Sequence, residues 1–165
     1  MFSPQKDNRR RPYDERLDCG DKIDLLATFV FTAEIDLRCP DGEREGSREK
    51  GYYRGTVKNV SAQGMCLVTA TAFSKGQTLI LELMHPSSKA VIRMEGEVRW
   101  CRSASSSISQ QYEVGVKIIK VNDQDVERSV TMDPIYHTLW SIVLESIFGE
   151  TKHTLLKTRK TSHKS

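Results

Sequence analysis

Two groups of side chains in this 165-residue chain have types and spacing that could do chemistry. The first is the run RRRPYDER, which places Arg9, Arg10, Arg11 and Arg16 just ahead of the first strand-forming segment. A guanidinium is planar, permanently charged and forked. It can grip a phosphate, or the O6/N7 edge of guanine, through paired hydrogen bonds. Taken alone, the cluster reads as a solvated terminus or as a loose contact for any polyanion. The second group is Asn59, Ser61 and Gly64 in VKNVSAQGMCL, at a corner between two strand-like runs. These are turn-forming types, and a turn is their plain reading.

Other chemistry has little to stand on. His85, His137, His153 and His163 fall in a turn, a helical segment and the tail, with no nucleophile or carboxylate at catalytic spacing. Glu95 and Glu97 share a strand face, as one exposed strand often arranges. No glycine-rich phosphate loop, HExxH or GxSxG motif occurs. Cys19, Cys39, Cys66 and Cys101 are scattered without a CxxC pair, which argues against a zinc site or a disulfide framework. The expectation is a protein with no catalytic residues, no metal and no cofactor.

The elements that must position the two groups can be read from pattern. Residues 1–22 are polar and aperiodic, a basic arm expected to be flexible. From Ile23 the pattern is β: IDLLATFVFTAEIDL, YYRGTVKNV, GMCLVTA, TLILELM, AVIRMEGEVRWCR and YEVGVKIIKV read as six strands. A charged loop follows the first strand, FSKGQ is a tight turn carrying Gly76, and Gly96 suggests a bulge or bend. Six short strands with no intervening helix predict an antiparallel barrel or sandwich over residues 23–122. Val114, Val116 and Ile118 should share one face of the last strand. Trp100, an aromatic in a barrel strand, reads as core, and the adjacent Tyr52 and Tyr53 should face opposite ways.

Periodicity changes in DPIYHTLWSIVLESIFG. Asp133 is a candidate N-cap, Pro134 suits the first helical position, and Gly149 is a natural stop. Ile135, Leu139, Val143 and Ile147, with Tyr136, Trp140, Leu144 and Phe148, predict a helix over 133–149. Its apolar arc is wide enough to require cover from the barrel or from a partner, a second copy included. Residues 150–165 lack a periodic apolar face and are expected to be a disordered basic tail. Basic charge concentrates at the two ends: residues 1–16 carry five basic and three acidic side chains, and residues 151–165 five basic and none acidic. With a net charge of +3 overall, the middle of the chain is net acidic. No run approaches a membrane span, and no apolar segment follows the basic N-terminus as a secretory signal would require, so a cytoplasmic protein is expected.

Taken in order, the arm RRRPYDER, the corner NVSAQG, the turn FSKGQTLILEL, the strand GEVRWC and the closing YEVGVKII resemble the PilZ domain family. The resemblance covers about residues 9 to 120. It rests on an arginine arm before the first strand and on a [D/N]xSxxG corner, which Asn59, Ser61 and Gly64 fill completely. It implies an all-β fold: a six-stranded antiparallel barrel with an N-terminal arginine-rich arm and a C-terminal amphipathic helix. It also implies binding of the bacterial second messenger cyclic di-GMP, with Arg10, Arg11 and Arg16 on phosphate and guanine, Asn59 and Ser61 on guanine, and Gly64 permitting the turn. The residue types agree with those roles. Asn59 offers a donor and an acceptor suited to a base edge, Ser61 a small hydroxyl, and Gly64 backbone freedom.

The sequence departs from the family pattern in the arm. A strict RxxxR is absent, because Arg11 and Arg16 are separated by four residues and not three. An extended arm could absorb the extra residue, while Asp14 and Glu15 would oppose phosphate. Arg44 and Arg48 have the spacing but follow the first strand, in the wrong place. The expected function is a cyclic di-GMP receptor or adaptor in which the arm closes over the corner, after which the altered surface meets an effector protein. The alternative is a degenerate PilZ module that binds no nucleotide and works as a protein-interaction adaptor. Specific nucleic-acid binding is disfavoured by the acidic body.

Overall fold

The computed structural model describes residues 27–40, 52–104 and 109–164, with side chains in the last stretch described as far as 158. Six strands form its body: β1 (Phe29–Arg38), β2 (Tyr52–Val60), β3 (Gly64–Thr69), β4 (Thr78–Met84), β5 (Val91–Ser103) and β6 (Tyr112–Val121). They pair antiparallel in the order β3-β2-β1-β4-β5-β6, and β3 pairs with β6 to close the barrel. Closure satisfies both edges of the sheet, leaving no open ladder on either end strand. The expected all-β, six-stranded antiparallel barrel is thus the observed architecture.

Alternation explains most of the core. Leu79, Leu81 and Leu83 on β4 and Val114, Val116 and Ile118 on β6 point inward and are buried, and the residues between them, Ile80, Glu82, Gly115 and Lys117, lie on the outer face. Ile35, Leu37, Val57, Leu67, Met94 and Val98 complete the interior. Tyr52 is exposed while Tyr53 packs edge-on against Phe73, as adjacent strand residues must. The FSKGQ turn closes through the Gln77 amide donating to the Ser74 carbonyl at 3.1 Å, and Gly76 takes φ +91°.

Four irregularities interrupt the pairing: between Val30 and Ala33 on β1, Val57 and Asn59 on β2 and Val98 and Trp100 on β5, and, opposite Glu95 and Gly96, at Ile119 on β6. Each inserted residue shifts the following side chains to the opposite face. Trp100 is the clearest consequence. Strict alternation from the inward Val98 would place it in the core, but the bulge at Arg99 turns it onto the outer surface. The core reading of Trp100 is therefore corrected.

The C-terminal region departs from expectation at its start. After β7 (Gln124–Asp125) and α1 (Val126–Ser129), β8 (Thr131–Met132) pairs with β9 (Leu139–Trp140). The helix begins only at α2 (Ile142–Phe148), capped by Ser141. Asp133 does not cap a helix: its carboxylate accepts the backbone amides of Ile135 and Tyr136, closing the tip of a hairpin. His137 at φ +55° is incompatible with a helix running through it, and Ile135 is 63% exposed. The apolar periodicity from 135 to 148 spans two elements, which is why the arc looked too wide for one helix. The tail expectation is also corrected. A short 3-10 turn (Gly149–Thr151) leads into α3 (Lys152–Lys164), because Leu156 is fully buried and Leu155 packs against the core.

This C-terminal module covers the barrel beside the start of β1. Phe29 meets Trp140 and Phe148 at ring-centroid distances of 6.3 and 5.8 Å, and Phe31 meets Phe148 at 5.7 Å. From the β4–β5 turn, the His85 Nε2 lies 2.8 Å from the Ile147 carbonyl oxygen.

Candidate functional site

The corner between β2 and β3 is built by the backbone before any side chain acts. The Ser61 amide donates to the Gly64 carbonyl at 2.8 Å, and the Ser61 hydroxyl lies at 3.5 Å from the same oxygen. The Gln63 carbonyl accepts from the Ile118 amide of β6 at 2.9 Å. The buried Ser141 hydroxyl donates to the Ala62 carbonyl. Every residue of the turn from Ser61 to Gly64 is thus engaged in a hydrogen bond, and two of these bonds come from other elements.

Gly64 earns its place differently from the expectation. Its φ is not positive, since Gly76 is the one glycine in that region among the described residues. What excludes a side chain is proximity: a Cβ on Gly64 would sit 2.7 Å from the Val116 carbonyl oxygen, where β3 closes against β6. Gly64 is a close-approach glycine at the barrel seam.

Asn59 owes its orientation to the β2 bulge. Val57 faces inward and pairs with Leu67, while Asn59 pairs with Cys66, so Lys58 is the extra residue. Without it, alternation would send the Asn59 amide into the core; with it, Asn59 faces outward and Val60 returns inward. Among the described residues the Asn59 side chain makes no hydrogen bond, so its donor and acceptor remain available. Asn59 and Ser61 therefore sit together on the outer rim of the corner.

The remaining predicted site residues, Arg10, Arg11 and Arg16, lie outside the described residues, as do Arg44 and Arg48. The register nonetheless fixes where the N-terminal segment enters the barrel. Phe29 pairs with Val60 and Val30 with Asn59, so β1 starts alongside the corner. Arg16 precedes Phe29 by 13 residues, a contour of at most about 45 Å, so chain length does not prevent an arginine from reaching Asn59.

The outer surface next to the corner carries residues that sequence reasoning did not single out. A transverse row runs Val30, Asn59, Cys66, Gly115, Trp100 across five adjacent strands. Gly115 is buried because the Trp100 indole lies over it: a Cβ there would fall 2.2 Å from the ring. Beside this row the Glu113 carboxylate accepts from Lys58 Nζ at 2.5 Å and from Arg102 at 2.7 and 3.0 Å. Those bonds, that to Lys58 foremost, hold Glu113 below the usual carboxylate range, and the same bond raises Lys58. The Cys66 thiol is pushed up, first by burial and then by the charge of Glu113. The Arg102 guanidinium lies 4.9 Å from the Trp100 ring centroid. The signal that could have exposed this surface is the pair Gly115 and Trp100, a missing side chain opposite a large one, but its meaning depends on the Arg99 bulge.

Among the described residues no group of three or more His, Cys, Asp or Glu is placed to hold a metal ion, and no helix is long and apolar enough to cross a membrane.

Comparison with known proteins gives a match to the PilZ domain family over residues 14–132. No curated protein matches. Among solved structures, the chain is similar to the Bacillus subtilis inhibitor of motility MotI/DgrA, with 19% identity and a TM-score of 0.44 over 62% of this chain and 45% of that one. It is similar to the PilZ domain with c-di-GMP of Escherichia coli YcgR, with 9% identity and a TM-score of 0.43 over 58% and 76%. It is also similar to K. pneumonia MrkH in its apo state, with 14% identity and a TM-score of 0.44 over 78% and 49%. The chain spans less than half the length of the MotI/DgrA and MrkH chains.

Proposed function

The chain belongs to the PilZ domain family, and from that premise we propose that it is a receptor for cyclic di-GMP. The observation that carries this reading is the bulge that turns Asn59 outward beside Ser61, next to the start of β1, the strand that the arginine segment precedes in the sequence. In this reading Arg10, Arg11 and Arg16 grip phosphate and the guanine O6/N7 edge, while Asn59 and Ser61 hydrogen-bond a guanine. The corner is held in place by bonds from Ile118 and Ser141. It therefore meets the ligand preorganised, and the ordering cost falls on the arm. No cofactor takes part. The closed arm then presents a changed surface to an effector protein in the cytoplasm.

Isothermal titration with cyclic di-GMP tests the proposal. Arg11→Ala and Arg16→Ala should each weaken binding by about 1–3 kcal/mol, the worth of one bidentate guanidinium contact. Absence of heat from the wild-type protein at near-millimolar ligand would end the receptor reading. One observation favours a second reading, a PilZ module that binds no nucleotide and docks a protein: the Arg11–Arg16 spacing is one residue longer than the family motif. The same titration separates the two.

A further inference from the structure

Resting on the receptor reading, we infer that the C-terminal module regulates the ligand site, with Trp140 and Ser141 as the positioning residues through which it acts. These two residues are neighbours in the chain, and each touches a different part of the site. The Trp140 ring packs edge-on against Phe29, the first residue of β1, with ring centroids 6.3 Å apart. Phe29 pairs with Val60, next to Ser61, and opens the strand that the arginine segment precedes in the sequence. The Ser141 hydroxyl donates to the Ala62 carbonyl, inside the corner itself.

Both contacts are buried, and both continue into the helices of the module. Ser141 Oγ accepts the Val143 amide at 3.0 Å, and Trp140 Nε1 donates to the Glu145 carboxylate at 2.7 Å, so each residue is tied to the first turn of α2. The Ile142 amide between them donates to Ser129 Oγ of α1 at 3.1 Å. Lys152 of α3 lies 4.8 Å from the Trp140 ring centroid. Groups packed and hydrogen-bonded in this way do not shift independently. In the other direction, drawing the Ala62 carbonyl inward leaves its neighbour Ser61 at the surface beside Asn59. A ligand meeting that fixed turn does not have to order it. Coupling between two sites is reciprocal: an intact module tightens the ligand, and the ligand tightens the module by the same factor. A partner that grips the module in place would raise ligand affinity, and one that pulls it from the corner would lower it.

The test combines calorimetry with amide exchange followed by NMR. In the wild type, saturating cyclic di-GMP should slow exchange of the Val143 and Glu145 amides roughly 5- to 150-fold, the usual range of coupling between two sites. That slowing is measured relative to the Gln77 amide, which bonds to Ser74 in the turn beyond the far end of β3 and reports stabilisation of the whole fold. Ser141→Ala removes both the cap and the Ala62 bond, whereas Ser141→Gly removes the bond and nearly spares the cap. Titrated below the unfolding onset of each, both variants should bind cyclic di-GMP more weakly by the same factor, again roughly 5- to 150-fold. The Glu145 amide of Ser141→Gly, whose own bond to the residue 141 carbonyl is intact, should lose most of its response to ligand. A merely structural Ser141 would leave affinity unchanged, or make its loss follow the stability loss and be larger for Ala than for Gly. Either result overturns the inference, as does a wild-type α2 that responds no more than Gln77; the ligand still binds and the receptor reading survives. Should a variant not fold, the wild-type exchange decides alone. If the wild type binds nothing, both fall.

Discussion

Replacing Ser141 by Ala removes one hydroxyl that does two jobs. Ser141 is 3% exposed; its Oγ donates to the Ala62 carbonyl of the corner and accepts the Val143 amide at 3.0 Å as the cap of α2. Loss of a serine cap costs about 1 kcal/mol. Ala62 is itself buried, and leaving its carbonyl without a donor costs about 1–3 kcal/mol more. The expected loss is therefore about 2–4 kcal/mol. For a domain of this size that lowers the thermal midpoint by roughly 5–15 °C. Thermal and urea denaturation followed by circular dichroism measure it, with an unchanged urea slope indicating that the native state is still the reference. Ser141→Gly separates the two jobs, because glycine at an N-cap costs only a few tenths of a kcal/mol. Whatever further loss Ser141→Gly shows belongs to the Ala62 bond. A midpoint within about 1 °C of wild type in both variants would refute the claim that the corner is held from the C-terminal side.

Asn59→Ala should weaken cyclic di-GMP binding while leaving the thermal midpoint nearly unchanged, because the side chain faces outward without a hydrogen bond among the described residues; a large drop in the midpoint would assign Asn59 to the turn alone. Gly64→Ala should destabilise by about 1–3 kcal/mol, since its methyl meets the Val116 carbonyl at 2.7 Å and the barrel seam must open to admit it; an unchanged unfolding midpoint would show that the seam yields freely. Glu113 is held below the usual carboxylate range, so its ion pairs favour the folded state above the ordinary carboxylate pKa, and that contribution is lost as pH falls through the lowered value. Glu113→Gln should therefore flatten the acid limb of the stability–pH profile, and identical acid limbs would remove the Lys58–Glu113–Arg102 cluster from the account.

Strand identity was legible because alternation is a local property: YYRGTVKNV is β2 from end to end, and Val114, Val116 and Ile118 face inward as their spacing requires. What the sequence hid were the points at which alternation breaks. Lys58 and Arg99 are ordinary strand residues by type, and nothing in their identity marks them as the inserted members of bulges. Yet those two insertions decide that Asn59 and Trp100 face solvent. The hairpin tip was hidden for a related reason. Asp133 and Pro134 are as well suited to closing a turn as to starting a helix, and only the Thr131–Trp140 pairing and the left-handed His137 decide between them. Asn59, Ser61 and Gly64 were recognisable as a motif, but the cause assigned to Gly64 was torsional where the structure makes it steric, because the approach of Val116 is set by a strand some fifty residues away.

Charge gives the last example of a local quantity mattering more than a global one. The body of the chain is net acidic, which taken alone would disfavour an anionic dinucleotide. Screening at physiological ionic strength limits the relevant charges to those within about 8 Å. Around the Asn59–Trp100 row these are Lys58, Lys117, Arg99 and Arg102 against Glu97 and Glu113, and both carboxylates are already engaged, Glu97 by Arg99 at 3.2 Å and Glu113 by Lys58 and Arg102. Cations outnumber carboxylates there before the arm contributes any arginine. The acidic residues of the cluster act as anchors that hold guanidinium and ammonium groups in place, so the local charge at the row is positive although the middle of the chain is net acidic. A phosphate approaching this face meets attraction at short range, and the distant acidic residues that set the sign of the whole body are screened from it.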